Sequence, residues 1–393
     1  MPHVDAGSVR FLSSPAGADA LAAAREARTL PLHRRAAAVA AAVGDACDDA
    51  EIRTALQQDD VRRRAMERCP HAEQLLFTRE ALEQATAWDV AAERATRWPG
   101  DASVTDLGAG IGLDALAIAT TGRAVIAYEQ DPVRAAMLRF NAAALDVAAR
   151  VTVHEDDVLA AAPTGENTFF DPDRRPGGDR TRDPDAFEPP AEVWGTLLGR
   201  FARAIVKLPP VVEGALPLDG PEEVVALGGR ARERRLFVGD WPGVPARRAL
   251  ALPSGRSVEG AGVSPPAPVA VEDGAWILDP DVSVTLAGLV GDLAARDGLA
   301  PLADGVAYLV GEEPNEVAPG HWVRVDATLK AKPKVLNRWL REHDVGDLTI
   351  RKRGIDAKAA DWRKRLRADG TKPATLVFTR DRDDRWVVYA SLM

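Results

Sequence analysis

The segment Asp106-Leu107-Gly108-Ala109-Gly110-Ile111-Gly112 constrains this chain more than any other. Three glycines at alternate positions follow a short run, Ser103–Leu107, that reads as a strand. They precede Leu113–Thr121, which reads as a helix. Glycine reaches positive φ without steric cost and lets backbone approach a ligand closely. The helix that leaves such a turn points its partially positive N-terminus at that ligand. A dinucleotide fingerprint requires G-x-G-x-x-G, and Leu113 occupies the position of its third glycine. The spacing here is G-x-G-x-G with an acid two residues ahead, so no pyrophosphate cradle is predicted. The simplest alternative is a plain tight turn between strand and helix.

Strands and helices alternate beyond the turn. Ala124–Tyr128, Val151–His154, Thr168–Phe170 and Ala204–Lys207 read as strands, with Pro132–Ala144 as a helix among them. This alternation predicts an α/β fold with a parallel sheet covered on both faces. Carboxylates follow the strands in order. Glu129 ends the second strand, 17 residues after Gly112, where it can accept from two ribose hydroxyls. Asp156 and Asp157 follow the third strand, where a carboxylate can accept from an adenine amino group; Val158 after Asp157 favours the latter. Singly, each is an ordinary loop acid. In register with the glycine turn they form a nucleoside-binding set, and the ordered set resembles that of class I S-adenosylmethionine-dependent methyltransferases.

The first hundred residues read as helical, with one helix capped by Thr78 and running to about Arg97. The Pro/Gly-rich stretch from Pro176 to Pro190 reads as a mobile loop, and Gly255–Pro268 as a linker or exposed hairpin. From Trp276 the pattern is strand, helix (Val284–Ala295), strand, and then a second small α/β run to the end. Charge divides unevenly. The residues from His321 onward hold 18 Lys+Arg against 10 Asp+Glu, a net of +8, whereas the residues before them carry −17. An acidic body with a basic tail suggests that the tail meets a polyanion; a solvated face or pairing with the body is the alternative. Two cysteines exclude a disulfide scaffold, a four-cysteine zinc site and an iron–sulfur cluster, and fit a reducing cytosol. The six histidines show no metal-ligand spacing, so no metal is expected. Cys69-Pro70 superficially resembles a nucleophile motif but lies ahead of the cofactor fold, where a buried helix-end thiol is the simpler reading. With no apolar leader and no apolar run above eight residues, the expectation is a soluble cytoplasmic protein.

Several segments together resemble a known family. The glycine turn, Leu82-Glu83-Gln84-Ala85-Thr86 before it, and Phe170-Asp171-Pro172-Asp173-Arg174-Arg175 after it are similar to those of bacterial class I methyltransferases that carry a C-terminal THUMP-like domain. Trp276-Ile277-Leu278-Asp279-Pro280-Asp281 resembles the start of that family's small ferredoxin-like domain. Lys332–Trp339 and Ile350-Arg351-Lys352-Arg353-Gly354 resemble its THUMP-like end. The resemblance implies an N-terminal helical region (1–74), a Rossmann-like methyltransferase domain (75–270), a ferredoxin-like domain (271–319) and a basic THUMP-like domain (320–393). It also implies S-adenosyl-L-methionine as cofactor.

In such enzymes the acid–proline pair follows the fourth strand and faces the methyl donor. Asp171 and the carbonyl of Pro172 would then accept hydrogen bonds from the target nitrogen and align it with the methyl group. The third and fourth positions usually offer a proline and an aromatic ring that stacks on a flipped base; here they are Asp173 and Arg174. Arg174 can stack on a base or pair with a phosphate, or form a local ion pair with Asp173. The middle domain also departs from the family at Asp281–Leu286. The expected cofactor-binding set is Gln84, Thr86, Asp106, Gly108, Gly110, Gly112, Glu129, Asp156 and Asp157, with Asp171, Pro172 and Arg174 catalytic. Gln84 and Thr86 would close over the methionine end. The substrate implied is structured RNA, tRNA or rRNA, held by the basic domain. A small-molecule methyltransferase and an RNA-binding protein without turnover are the alternatives.

Overall fold

The computed structural model describes residues 4–174, 181–356 and 358–392. The chain packs as two units: Met1–Gly220 with Leu236–Pro242, and Pro221–Arg235 with Gly243–Met393. In the first unit, helices α1 (Ala6–Leu12), α2 (Pro15–Glu26), α3 (Leu32–Val43) and α4 (Asp49–Ala65) form the expected helical region. Asp48 and Glu51 close a reciprocal capping box at the start of α4. Arg28 pairs with Asp59 and Glu73, while the buried Arg62 donates to the carbonyls of Leu75 and Gln74.

The expected single helix from Thr78 is two. Thr78 caps α5 (Arg79–Gln84), the chain extends through Ala85 and Ala87, and α6 (Trp88–Ala95) follows. Then come β1 (Val104–Leu107), α7 (Leu113–Thr120), β2 (Val125–Tyr128), α8 (Pro132–Ala144), β3 (Val151–His154), α9 (Val158–Ala161), β4 (Gly165–Phe170), α10 (Trp194–Leu198) and β5 (Phe201–Leu208). These strands are parallel and lie in the order β3-β2-β1-β4-β5. The order reverses at β1, which has β2 on one side and β4 on the other. Ligands bind open α/β sheets at the carboxyl ends of strands flanking such a switch. The fold and its register therefore bring the ends of β1, β2 and β4 to one crevice. Trp194, Phe170, Phe187 and Leu197 fill a core on one face of the sheet.

The stretch expected to be a mobile loop falls partly on residues 175–180, outside the described residues. Its described part is tied down. Asp173 and Glu188 exchange backbone hydrogen bonds of 2.9 Å, and Phe187 is buried in the core.

The second unit contains β6 (Glu222–Leu227), the first half of β7 (Arg230–Gly239), β8 (Arg247–Leu252) and β9 (Arg256–Gly260). β6 runs parallel to β8, and β9 folds back on β8. Arg235 is wholly buried between Glu223 and Glu233. β10 (Trp276–Pro280) then leads to α11 (Val282–Leu286) and α12 (Val290–Asp297), which break the expected Val284–Ala295 helix at Gly288, where φ is +70°. β11 (Ala300–Pro301), β12 (Leu309–Gly311) and β13 (Gly320–Arg324) complete a sheet ordered β11-β12-β10-β13. The last sheet joins β14 (Ala327–Lys330), β15 (Val345–Lys352), β16 (Lys372–Arg380) and β17 (Trp386–Leu392) in the order β14-β17-β16-β15. Helices α13 (Pro333–Glu342) and α14 (Ala359–Arg365) pack on one of its faces. The other face shares a core with the preceding sheet through Ile277, Tyr308, Val323, Val377 and Tyr389. Among the described residues no helix is long and apolar enough to cross a membrane.

Gly108, Gly110 and Gly112 have φ of +82°, +59° and +92°. A Cβ on Gly110 would meet nothing within 4 Å, whereas one on Gly112 would lie 2.6 Å from Cγ of Leu138 on α8. Gly110→Ala should therefore destabilise the protein by about 1–2 kcal/mol through backbone strain alone. Gly112→Ala should cost about 1–3 kcal/mol more, because the Leu138 side chain must move within a packed core. Urea unfolding of the two variants side by side checks the order.

Candidate functional site

The crevice at the switch point is lined by Gln84 and Glu83 from the end of α5, by Asp106 and the glycine turn, and by Asp114 from α7. Glu129 and Arg134 line it beyond β2, and Phe169, Asp171, Pro172, Asp173 and Arg174 at the end of β4. Nine of the twelve expected residues meet here: Gln84, Asp106, Gly108, Gly110, Gly112, Glu129, Asp171, Pro172 and Arg174.

Glu129 is 5% exposed, and both of its oxygens hold backbone. Oε2 accepts from Gly110 N at 2.8 Å and Oε1 from Asp131 N at 2.9 Å. The carboxylate thus pins the glycine turn to the end of β2. A carboxylate oxygen has a second lone pair, so each can still accept from a ligand hydroxyl.

Asp106 is the penultimate residue of β1, a strand buried throughout, and is itself 1% exposed. Its Oδ2 has no hydrogen-bond partner. Burial is the main cause that pushes its carboxyl well above the usual range; the nearby Asp114 and Asp171 add to this, and Arg94 and Lys207 oppose it. A buried, unpartnered acid lining a crevice with five other carboxylates suits a cationic ligand group. S-adenosylmethionine carries two such groups, its sulfonium and its α-ammonium, so the residues present fit it. When bound, it supplies an electrophilic methyl group on sulfur.

Arg94 is almost fully buried in α6. It pairs with Asp114 and lies over the Phe169 ring, 4.2 Å from the centroid. Thr86 donates its hydroxyl to Asp114 at 3.1 Å. Thr86 therefore faces the wall of the crevice and is not among the residues that line it, because the helix break turns Gln84 inward and leaves Thr86 bracing Asp114. Asp156 and Asp157 also lie outside the lining. Both are exposed, and Asp157 Oδ1 accepts from Leu159 N at 2.9 Å as the cap of α9. They follow His154, which is in register with Tyr128 next to Glu129, so they stand on the same strand-end edge further along the sheet.

Asp171 is half-buried and forms an ion pair with Lys207, the penultimate residue of β5, which is 6% exposed. Lys207 donates to Oδ2 of Asp171. Sequence reasoning missed Lys207 as a functional residue, although a lysine ending the apolar run Ala204–Ile205–Val206 was a visible signal. It also missed Arg134 and Asp114; Asp114 sits in the first turn of α7, two residues after the turn. Nothing local points to Arg94, whose role arises only from tertiary packing. Cys69 is buried, and burial raises its thiol to about 11, which makes it a poor nucleophile at neutral pH.

The raised acid gives a pH dependence. The unfolded chain loses the Asp106 proton near 3.8, whereas the folded chain keeps it to higher pH. The folded state then binds more protons, so this contribution to stability is full below 3.8 and is lost as pH rises through the folded value. Asp106→Asn should raise the melting temperature of the ligand-free protein at pH 7. It should also flatten the decline in melting temperature between acidic and neutral pH, as read by calorimetric scans in parallel buffers.

Comparison with known proteins agrees with this geometry. Residues 320–391 match the THUMP domain-like family. The chain is 34% identical over 338 residues to an uncharacterized S-adenosylmethionine-dependent methyltransferase of Mycobacterium tuberculosis (strain CDC 1551 / Oshkosh), covering 81% of this chain and 90% of that protein. Identity and coverage are the same for its counterpart in strain ATCC 25618 / H37Rv. Among solved structures, a protein of Porphyromonas gingivalis W83 provisionally assigned as a methyltransferase shares the fold, with a TM-score of 0.73 at 19% identity over 98% of this chain and 96% of that one. A glycine turn tied to a buried acid, at the switch point of a parallel sheet, in a chain so matched, has one reading: the protein belongs to the class I S-adenosylmethionine-dependent methyltransferases that carry a THUMP-like domain at the C-terminal end.

Proposed function

We propose that this methyltransferase modifies structured RNA, tRNA or rRNA, with the basic C-terminal domain supplying most of the affinity. The observation that carries the reading is a set of exposed cations there that form no ion pair among the described residues: Lys330, Lys332, Lys334, Lys352, Lys364 and Arg367. Not every expected cation remains available. Arg351 and Arg353 both pair with Asp279 on β10, and Arg363 donates to the carbonyl of Leu348. That internal pairing favours, as a second reading, a small-molecule methyltransferase whose C-terminal domain serves packing.

At the crevice, Glu129 binds the ribose and Asp106 the cationic part of the cofactor, while Gln84 closes over the methionine end. Asp157, further along the edge, is placed to accept from the adenine amino group. Asp171, oriented by Lys207, and the Pro172 carbonyl accept from the target nitrogen. Arg174 takes the position where an aromatic clamp usually stands and stacks on the base or pairs with a phosphate. The expected domain limits at 75, 271 and 320 are retained as working boundaries. The last one falls ahead of β13, which pairs with β10. Deleting residues from 321 onward would strip that pairing and open a shared core, so charge substitutions are the sounder test.

Two measurements follow. Replacing Lys330, Lys332, Lys334 and Lys364 by glutamine should weaken RNA binding and lower the salt slope by about 0.7–0.9 for each phosphate no longer neutralised, with cofactor binding intact. Unchanged RNA affinity across a salt series, with no loss of a methylated nucleoside in a deletion strain by mass spectrometry, would favour the small-molecule reading. Glu129→Gln removes one carboxylate acceptor, and cofactor affinity by calorimetry should fall by about 1.5–3 kcal/mol. Affinity equal to wild type would disprove the ribose assignment.

A further inference from the structure

Eight of the nine tryptophans are buried or half-buried, and Trp386 alone is exposed, at 46%. It opens β17, on the same side of the sheet as Val388 and Ala390, which are both fully buried under the helices. Burying Trp386 in the same way would have been favourable, since a tryptophan is among the largest apolar groups a chain can remove from water. The strand directions explain what lies around it. β14, β16 and β15 all end where β17 begins, because each is parallel to the others and β17 is antiparallel to its two neighbours. One end of the sheet therefore presents, in spatial order, Lys330 ending β14, Trp386 opening β17, Arg380 ending β16 and Lys352 ending β15.

The charge at this end is positive. In the β16–β17 hairpin, Asp381 and Asp383 pair with Arg385, and Asp384 pairs with Arg380. Lys330, Lys332, Lys352 and Arg382 are exposed and form no ion pair among the described residues. An exposed indole among unpaired cations matches a single-stranded nucleic acid. Every base has a face that can stack on a ring, and the phosphates on either side find cations. A duplex offers no free base face, because its bases are stacked on one another.

We propose that this sheet end is a docking edge for an unpaired segment of the RNA substrate, with Trp386 stacking on a base, Lys352 on the same face taking one flanking phosphate, and Lys330, which the register puts on the opposite face, taking another around the end of the sheet. The proposal rests on the RNA reading above and adds to it which part of the RNA is held.

The test uses the full chain, a short single-stranded oligouridylate and an RNA duplex of the same length. Trp386→Leu keeps apolar bulk and removes the ring. It should weaken single-strand binding by about 5- to 100-fold and leave the salt slope as in wild type, because stacking releases no counterions. Duplex affinity should be unchanged. Lys330→Gln with Lys352→Gln should instead reduce the slope, by about 0.7 for each phosphate of the single strand no longer neutralised. As a readout independent of any substitution, an oligonucleotide carrying 5-iodouridine should photocrosslink to Trp386 in the wild-type chain. The proposal is overturned by wild-type affinity in Trp386→Leu, by equal losses for single strand and duplex, or by crosslinks that map elsewhere. If the lysine pair matters and the tryptophan does not, the docking edge fails and the RNA reading stands. If the wild-type chain binds neither RNA, both fail.

Discussion

A single carboxylate holds the catalytic end of the molecule together. Glu129 accepts from Gly110 N and Asp131 N, so the turn after β1 and the start of α8 are fixed by one side chain. The glycines make the turn possible, but three positive-φ positions in one short turn leave it free to take other shapes. Glu129 selects one of them. Asp106 and Asp114 then face the crevice on a rigid frame, and the Arg94 guanidinium holds Asp114 from behind. The acidic lining exists before any ligand enters, so little reorganisation is needed when a cation binds.

The parts of the site at the ends of β1, β2 and β4 were legible in the sequence, whereas Asp156 and Asp157 after β3 lie outside the lining. A parallel sheet with a switch at β1 forces Gly108, Glu129 and Asp171 to one edge, whatever the details of the helices. The parts that depend on how a helix ends were not legible. The composition of Thr78–Arg97 supports one continuous helix, yet Ala85–Ala87 leave it, and this decides that Gln84 lines the crevice while Thr86 braces Asp114. Arg94 and Lys207 are charged residues that burial would ordinarily exclude, and each is tolerated through a partner distant in sequence. Periodicity carries no information about such partners.

The uneven charge along the chain also needed the structure to interpret. A count of basic residues treats each alike. Arg351 and Arg353 are absorbed by one aspartate of the neighbouring sheet, and Arg380 and Arg385 by the acids of their own hairpin. The lysines of the C-terminal domain remain in water, as do Arg367 and Arg382. The division follows from chemistry: a planar guanidinium matches a carboxylate with two hydrogen bonds and is less strongly hydrated, so it is the better choice for a partly buried pair.

The strand Gly320–Arg324 falls inside the segment that matches the THUMP-like family, but its backbone partners are Trp276–Pro280, outside that segment. A sequence module and a folding module are therefore offset by one strand. Any exchange of the C-terminal domain between proteins, in the laboratory or in evolution, would have to move the small middle sheet along with it. A graft cut at the edge of the family match would leave an open edge at β10 on the donor and an orphan strand on the recipient, and both are templates for unwanted pairing with other chains.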